Sequence, residues 1–400
     1  MSKPKLAVIG ASHFQMPLIL KAQEMGCEVH AFAWECGDVG ETAADAFHPV
    51  SIVEVDQIVE ECRRIGVDGI CTIASDLATV AVNHATHELG LVGNSLECTR
   101  LSTDKSCMRR AFEEGGDPSP KSILVSEADA AGFDPLEHGL NYPLIVKPID
   151  RSGSRGVTKL EAPGDPMTVG EALASAFDQG FEKSALVEEF AEGDEFSVEG
   201  VSWCGQHRIL TVTRKATTGA PHFIELAHLQ PASLDAATEA RVRDVVIHAL
   251  DTLGVEYGAS HSELKIAPDG AIRLIEIGAR MGGDCIGSDL VQLSTGIDFV
   301  RAVVDIALGR EPNLEPTREP AAAAIRFMFE EGDFQLLDRV REDRPDLLRS
   351  IRIDEEARKI SQTVTDSSTR LGHFIVSASD MQDIVPYLGD CNGAFEGVCR

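Results

Sequence analysis

The sequence predicts a mixed α/β and α+β chain: an N-terminal doubly wound parallel sheet, a larger α+β body, and a small C-terminal α+β subdomain. Three observations predict it. Short apolar runs alternate with helical patterns over residues 1–100, strands joined by glycine-rich turns replace that alternation from about residue 140, and Pro312, Pro316 and Pro320 punctuate the chain before its last strands. At ~150 residues per domain, 400 residues allow two or three such units.

Leu6 to Ile9 is a short apolar run broken by Gly10-Ala11-Ser12, and Leu18, Ile19, Ala22 and Met25 follow at helical spacing. Cys27 to Ala33 reads as a second strand, Val55 to Ile65 as a helix, Gly69 to Ile73 as a third strand and Ala78 to Leu89 as a helix. The first turn, GASHFQ, lacks the second and third glycines of GxGxxG, which argues against a dinucleotide oxidoreductase. His13 beside it reads as an exposed loop histidine and is left out of the site.

YPLIVKP, ALVEEF and EFSVEGVSW then read as strands, Asp235 to Leu253 and Ile297 to Leu308 as helices, and Ala321 to Phe329 and Ile351 to Ile353 as strands of the C-terminal unit. Phe299, Val300, Val303, Val304 and Ala307 form the buried side of the second helix.

Composition removes several function classes. Lys plus Arg number 36 against 65 Asp plus Glu, a net charge of −29, so the surface repels nucleic-acid backbones and anionic membranes. No apolar run approaches the roughly 20 residues that span a bilayer, and no signal-peptide pattern opens the chain. Ten scattered cysteines without a CxxC pair read as free and reduced, and a cytoplasmic location is expected.

The most informative segment is HSELKIAPDGAIRLIEIGAR, residues 261–280. Asp269-Gly270 between two alternating runs predicts a two-residue type I′ hairpin. Pro268 then opposes Ala271, and Glu263 falls opposite Glu276. Directly opposed residues hold their Cβ atoms about 4.5–5.5 Å apart, and like charges there destabilise a sheet. A divalent cation such as Mg²⁺ bound by both carboxylates would relieve the repulsion, as would Lys265 on the same face. Arg280 follows in GARMGGD, a glycine-rich turn suited to anions.

Lys147 is the one charge on the apolar strand YPLIVKP, so it needs an anionic partner. DRSGSRGV comes next; its Ser152, Gly153, Ser154 and Gly156 form a flexible loop whose N–H groups can cover phosphates, although it is not a Walker A loop. Lys105, in TDKSCMRR, begins a helix capped by Thr103 or Asp104.

Taken in order, DKSCMR, YPLIVKP, DRSGSRGV, LVEEFAEGDEFSVEG and HSELKIAPDGAIRLIEIGARMGG resemble the ATP-grasp carboxylate–amine ligases over nearly the whole chain. The resemblance implies an N-terminal domain over 1–100, an ATP-grasp domain over 101–310 and a C-terminal subdomain over 311–400. Within the middle domain, a nucleotide-clamping part would cover about 120–190 and a metal and catalytic half about 191–310. It implies ATP and Mg²⁺, with Mn²⁺ as a substitute, and small-molecule carboxylate and amine substrates. By the same resemblance Lys105 and Lys147 contact the nucleotide from two sides. Glu188, with the backbone of Glu189 and Ala191, reads adenine, Glu195 holds the ribose, and Lys215 helps to neutralise the phosphates. Glu263 and Glu276 match the metal ligands and Arg280 a phosphate-binding arginine. Gly278 departs from the pattern, which commonly has an asparagine ligand there, so a second magnesium would have to take water or backbone oxygen instead.

RKATTGAPHFIELAHLQPA is most similar to the L-amino acid ligases, in which a glutamate and a histidine three residues on line the substrate pocket; Glu225 and His228 match. Arg326 resembles an arginine that faces substrate. Bicarbonate-activating enzymes of the biotin carboxylase or carbamoyl-phosphate synthetase type, and a non-catalytic nucleotide-binding regulator, are the alternatives. The oligomeric state stays open, with a homodimer among the options.

Overall fold

A computed structural model describes residues 3–151, 153–354 and 369–396. Four parallel strands, β1 (Lys5–Ile9), β2 (Glu28–Phe32), β3 (Ala46–His48) and β4 (Gly69–Cys71), form an N-terminal sheet in the order β3-β2-β1-β4. The short strand β3 has no apolar run of its own and is absent from the sequence reading. The helix Val55–Ile65 has the expected bounds and ends where Gly66 turns left-handed at φ +69°.

A second sheet, in the order β5-β8-β6-β7, joins β5 (Ser122–Ser126), β6 (Leu144–Pro148), β7 (Thr158–Leu160) and β8 (Ser184–Glu189). The third and largest contains β9 (Asp194–Trp203), β10 (Gln206–Thr217), β11 (Glu225–Gln230), β12 (Gly258–Ile266), β13 (Ile272–Gly278), β14 (Ala322–Met328), β15 (Leu348–Ile353) and β16 (Gly372–Ala378). Its order is β13-β12-β9-β10-β11-β14-β16-β15, all antiparallel. The strands of the expected C-terminal subdomain therefore extend this sheet rather than forming one of their own.

Strand alternation gives the large sheet two unlike faces. Phe196 and Val198 of β9, Val212 of β10, Leu264 of β12 and Leu274 of β13 pack against Val242, Val246, Ala249 and Leu250 of the helix Ala236–Thr252. The intervening residues of the same strands, Glu195, Ser197, Glu199, Lys215 and Glu263, lie on the other face. The helix Phe299–Ala307 crosses back to cover the N-terminal sheet, sharing one core with Leu6, Val8, Val29 and Ala31.

The hairpin between β12 and β13 differs from the sequence expectation in two places that cancel. Ile266 pairs with Ile272, Gly270 N–H donates to the Ala267 carbonyl at 2.8 Å, and Gly270 alone has positive φ, +82°. The loop is thus three residues, 268–270: Pro268, whose ring holds φ negative, takes the first position of a type I turn and Gly270 the left-handed position after it. A two-residue I′ loop would need Asp269 at positive φ. The register then shifts again between Glu263 and Leu264, leaving Ile275 as an extra residue on β13, and Glu263 comes to face Glu276.

Candidate active site

Three groups of charges lie on the polar face of the large sheet and against the smaller antiparallel sheet. The first is a buried triad. Arg109 Nε lies 3.0 Å from Glu188 Oε1 and Lys147 Nζ 2.9 Å from Glu188 Oε2, with all three side chains under 10% exposed. Burial alone would raise the Glu188 pKa, but Arg109 and Lys147 hold it below its ordinary value. Arg109 also donates to the carbonyl of Ile275 at 2.6 Å, so the bulge in β13 exposes the oxygen that ties the two sheets together. The partner that Lys147 needs is Glu188, whose carboxylate is fully engaged. Glu189 N–H is engaged too, donating to the Lys121 carbonyl at 2.9 Å. Ala191 follows just past the end of β8, buried.

The second group surrounds the opposed glutamates. Lys105 is the first residue of the helix Lys105–Gly115, capped by Asp104, and its Nζ lies 2.8 Å from Glu276 Oε1. Lys215, 3% exposed at its side chain, lies 2.6 Å from Glu263 Oε1, 3.3 Å from Glu195 Oε1 and 3.6 Å from Glu225 Oε1. Burial opposes the charge on Lys215, yet the three carboxylates raise its pKa well above the ordinary value. Lys265 does not neutralise Glu263 and Glu276. Its ammonium lies 4.0 Å from Glu195 and over the Phe190 ring, whose centroid Lys159 also approaches, at 4.1 Å.

His261, two residues before Glu263 on the same face, donates toward Glu263 Oε1 at 3.3 Å and is held from behind by the fully buried Glu199 at 2.6 Å. Burial lowers its pKa, but Glu199 and Glu263 outweigh that and raise it to about 9. Both cations on Glu263 use Oε1, as Lys105 does on Glu276. Among the described residues neither Oε2 accepts a hydrogen bond. The donor set fits a hard divalent ion: two facing carboxylates, each held through one oxygen. Among the described residues no three His, Cys, Asp or Glu side chains form a ready-made metal cluster.

The third group extends the face toward β16. Glu225 lies 3.1 Å from Arg370, which also grips Asp284 at 2.6 Å and stacks over Phe327 at 3.7 Å from the ring centroid. His228 is fully buried, edge-on to Phe327, and neither ring nitrogen has a hydrogen-bond partner among the described residues. Burial and then Lys215 push its pKa well below the ordinary value, so the ring is neutral. His13 is half-buried, and Arg352, Asp38 and Asp284 are near enough for their charges to act on it.

Arg280 forms a two-pronged ion pair with Asp76, 2.7 and 2.9 Å, at the first turn of the helix Asp76–Leu89. In the glycine loop, Gly153, Ser154 and Gly156 all have positive φ, and Ser154 Oγ donates to the Phe223 carbonyl at 3.1 Å; Ser152 lies outside the described residues.

Arg326 is a correction. It pairs with Asp333 and donates to the Leu226 carbonyl at 2.9 Å. Its cross-strand partners Ala227 and Phe374 belong to the core beneath the helix Glu331–Asp343, whereas the neighbouring Phe327 faces His228. Alternation therefore puts Arg326 on the opposite face of the sheet from the carboxylates.

The sequence reading missed Asp76, Arg109, Glu199, His261, Asp284 and Arg370. Two of these carried a local signal: Arg109 is four residues after Lys105 on one helix face, and His261 two before Glu263 on one strand face.

Residues 140–289 match the family model described as an ATP-grasp domain. Alanine–anticapsin ligase of Bacillus subtilis is 27% identical over 309 residues, 69% of this chain and 64% of that protein. D-alanine–D-alanine ligase of Cupriavidus taiwanensis is 25% identical over 307 residues, 74% of this chain and 85% of that protein. The crystal structure of L-amino acid ligase from Bacillus licheniformis superposes with a TM-score of 0.80 at 22% identity, covering 98% of each chain. The fold is that of the ATP-grasp proteins, and the chain spans 64% of the length of the first of these relatives. Among the described residues no helix is long and apolar enough to cross a membrane.

Proposed function

We propose that the protein is an ATP-dependent ligase that activates a small carboxylic acid as an acyl phosphate and joins it to an amine, releasing ADP and phosphate. The observation that carries this reading is the pair Glu263 and Glu276, opposed across one hairpin, with Lys215 and His261 on Oε1 of the first and Lys105 on Oε1 of the second. The relatives named as alanine–anticapsin ligase and L-amino acid ligase support an amino acid as the acid.

A carboxylate oxygen attacks the γ-phosphorus and the bond to the bridging oxygen of ADP breaks. Two anions must meet, so the work is alignment and charge neutralisation. Glu263 and Glu276 would hold Mg²⁺, which when bound supplies positive charge to the phosphates. Lys105 and Lys215 would each exchange a carboxylate for phosphate oxygen, whereas Arg280 would keep Asp76 and offer its free edge, and Lys147, fixed by Glu188, needs no rearrangement to present its charge. Glu195 would meet the ribose. The loop through Gly153, Ser154 and Gly156 would close over the nucleotide and exclude water from the acyl phosphate.

The amine nitrogen then attacks the acyl carbon, the carbon–oxygen bond to phosphate breaks, and one proton must leave the nitrogen. Of the two candidate acceptors His228 fits the role: it is neutral, and its ring nitrogens are uncommitted, while Glu225 is tied to Lys215 and Arg370.

The test is phosphate release from Mg-ATP with pairs of amino acids and other small acids and amines, followed by mass detection of the condensed product. Hydrolysis that never depends on an added acid overturns the reading. Glu276→Ala should abolish turnover in a protein that still folds and melts cooperatively, at a lowered temperature because Lys105 loses its partner.

A further inference from the structure

Arg280 is reached by a residue from outside the hairpin that carries it. Asp76 stands 204 positions earlier in the chain, on the N-terminal unit, and binds Nε at 2.7 Å and Nη2 at 2.9 Å. The segment before Asp76 is itself docked beside Arg280: Ala74, at φ +60°, donates its N–H to the Met281 carbonyl at 3.1 Å, and Ser75 caps the helix that Asp76 begins. An acid in a first helical turn is ordinary by itself. The second feature is Gly278. A Cβ built there would lie 3.0 Å from Asp76 Oδ1, 3.1 Å from Arg280 Cζ and 3.2 Å from Arg280 Nε. A side chain at 278 and the Asp76–Arg280 pair compete for one space, and glycine leaves it to the pair.

We infer that Asp76 is a positioning residue for Arg280, supplied to the active site by the N-terminal unit and admitted by the missing side chain at 278. Asp76 occupies the Nε–Nη2 edge of the guanidinium, and Nη1 leans on the Met281 carbonyl at 3.4 Å. The group is fixed in plane and rotation, with its outer Nη1–Nη2 edge left for an anion. A planar fork held on one edge presents the other in a defined direction, and bidentate recognition of phosphoryl oxygen depends on that direction. The inference rests on the proposed role of Arg280 at the terminal phosphate.

The experiment compares Mg-ADP with a non-hydrolysable Mg-ATP analogue by calorimetric titration, and measures steady-state turnover with the acid and amine found for the wild type. For Asp76→Asn we expect ADP affinity within about twofold of wild type, loss of a roughly tenfold or greater preference for the analogue, and a fall in kcat of about 10²-fold. Gly278→Ala keeps every charge and should give a smaller loss of the same kind. In the Asp76→Ala background Gly278→Ala should add less than it does in the wild type, because the crowded carboxylate is gone and Arg280 is left as the near neighbour of the new methyl group. A pair serving only as a staple between units would lower the melting temperature and leave analogue preference intact, which overturns the inference. So would strictly additive effects of the two substitutions, or a change in the number of Mn²⁺ ions bound, which would make Asp76 a ligand instead. A wild type that binds no nucleotide would overturn the ligase reading itself, whereas a discriminating wild type with an unaltered Asp76→Asn variant overturns the inference alone.

Discussion

Lys215→Met isolates the charge that holds the centre of the site together. The ammonium is 2.6, 3.3 and 3.6 Å from Glu263, Glu195 and Glu225, and the side chain is 3% exposed. Methionine keeps the length and apolar stem, so no large cavity forms. What is lost is the counter-charge to three carboxylates. Removing one partner of a buried ion pair costs about 3–5 kcal/mol, because the other partner stays buried and unpaired. At about 2–4 °C per kcal/mol for a unit of 150–250 residues, the melting temperature should fall by roughly 6–20 °C. A divalent ion on Glu263 and Glu276 would restore much of that charge, so millimolar Mg²⁺ should raise the melting temperature of the variant by more than it raises that of the wild type. Thermal unfolding followed by circular dichroism at pH 7, with and without MgCl₂, reads both quantities. A variant that melts within about 2 °C of wild type, or an equal Mg²⁺ response in the two proteins, would refute the reasoning.

Three further outcomes follow from the geometry. Because His261 titrates at about 9 when folded against an ordinary 6.5, its contribution is complete below pH 6.5 and disappears as pH rises through 9. That loss is worth ~3 kcal/mol, and a denaturant series across this window should be flatter for His261→Gln than for wild type. Arg326→Met strands the buried Asp333 and should cost about 3–5 kcal/mol in urea unfolding, while kcat per folded molecule stays near wild type; a stable variant with a tenfold lower kcat would return Arg326 to the substrate pocket. ATP in EDTA should bind at least roughly tenfold more weakly than Mg-ATP by calorimetry, because carboxylates outnumber cations around Glu263 and Glu276, and EDTA-insensitive affinity would contradict that charge balance.

How far the sequence is legible depends on how local each constraint is. The opposed glutamates were readable because strand alternation and a turn signal are both short-range, yet the register came out right through two offsets that compensate. Pro268 lengthens the loop by one residue and the bulge at Ile275 removes the slip. Neither was visible to a rule that reads Asp-Gly alone. Arg326 failed for a related reason: a wholly buried strand has no polar face to mark its orientation, and which side Arg326 takes is decided by Asp333 on the next helix. Asp76, Asp284 and Arg370 were illegible because each acquires its meaning from a partner at least 86 residues away. The Glu225–His228 pair was suggested by resemblance, and the buried, unpartnered imidazole gives it a physical content that sequence could not.

On the proposed function, the charge pattern accounts for how an acidic protein would take anionic substrates. Lys105, Lys215, His261, Lys265, Arg280 and Arg370 face Asp76, Glu195, Glu199, Glu225, Glu263, Glu276 and Asp284, leaving one carboxylate in excess. Each cation is buried or nearly so, and an unpaired buried cation is costly, so the fold can keep them at the site only by giving each a carboxylate. A triphosphate arriving alone would meet paired cations and surplus negative charge. By the same proposal, Glu263 and Glu276 would hold a divalent ion that offsets the surplus, and Lys105 and Lys215 would then be free for the phosphates. On this argument the same carboxylates hold the buried cations and would make the site selective for the metal-bound nucleotide, so substitutions that remove them should loosen selectivity and fold together.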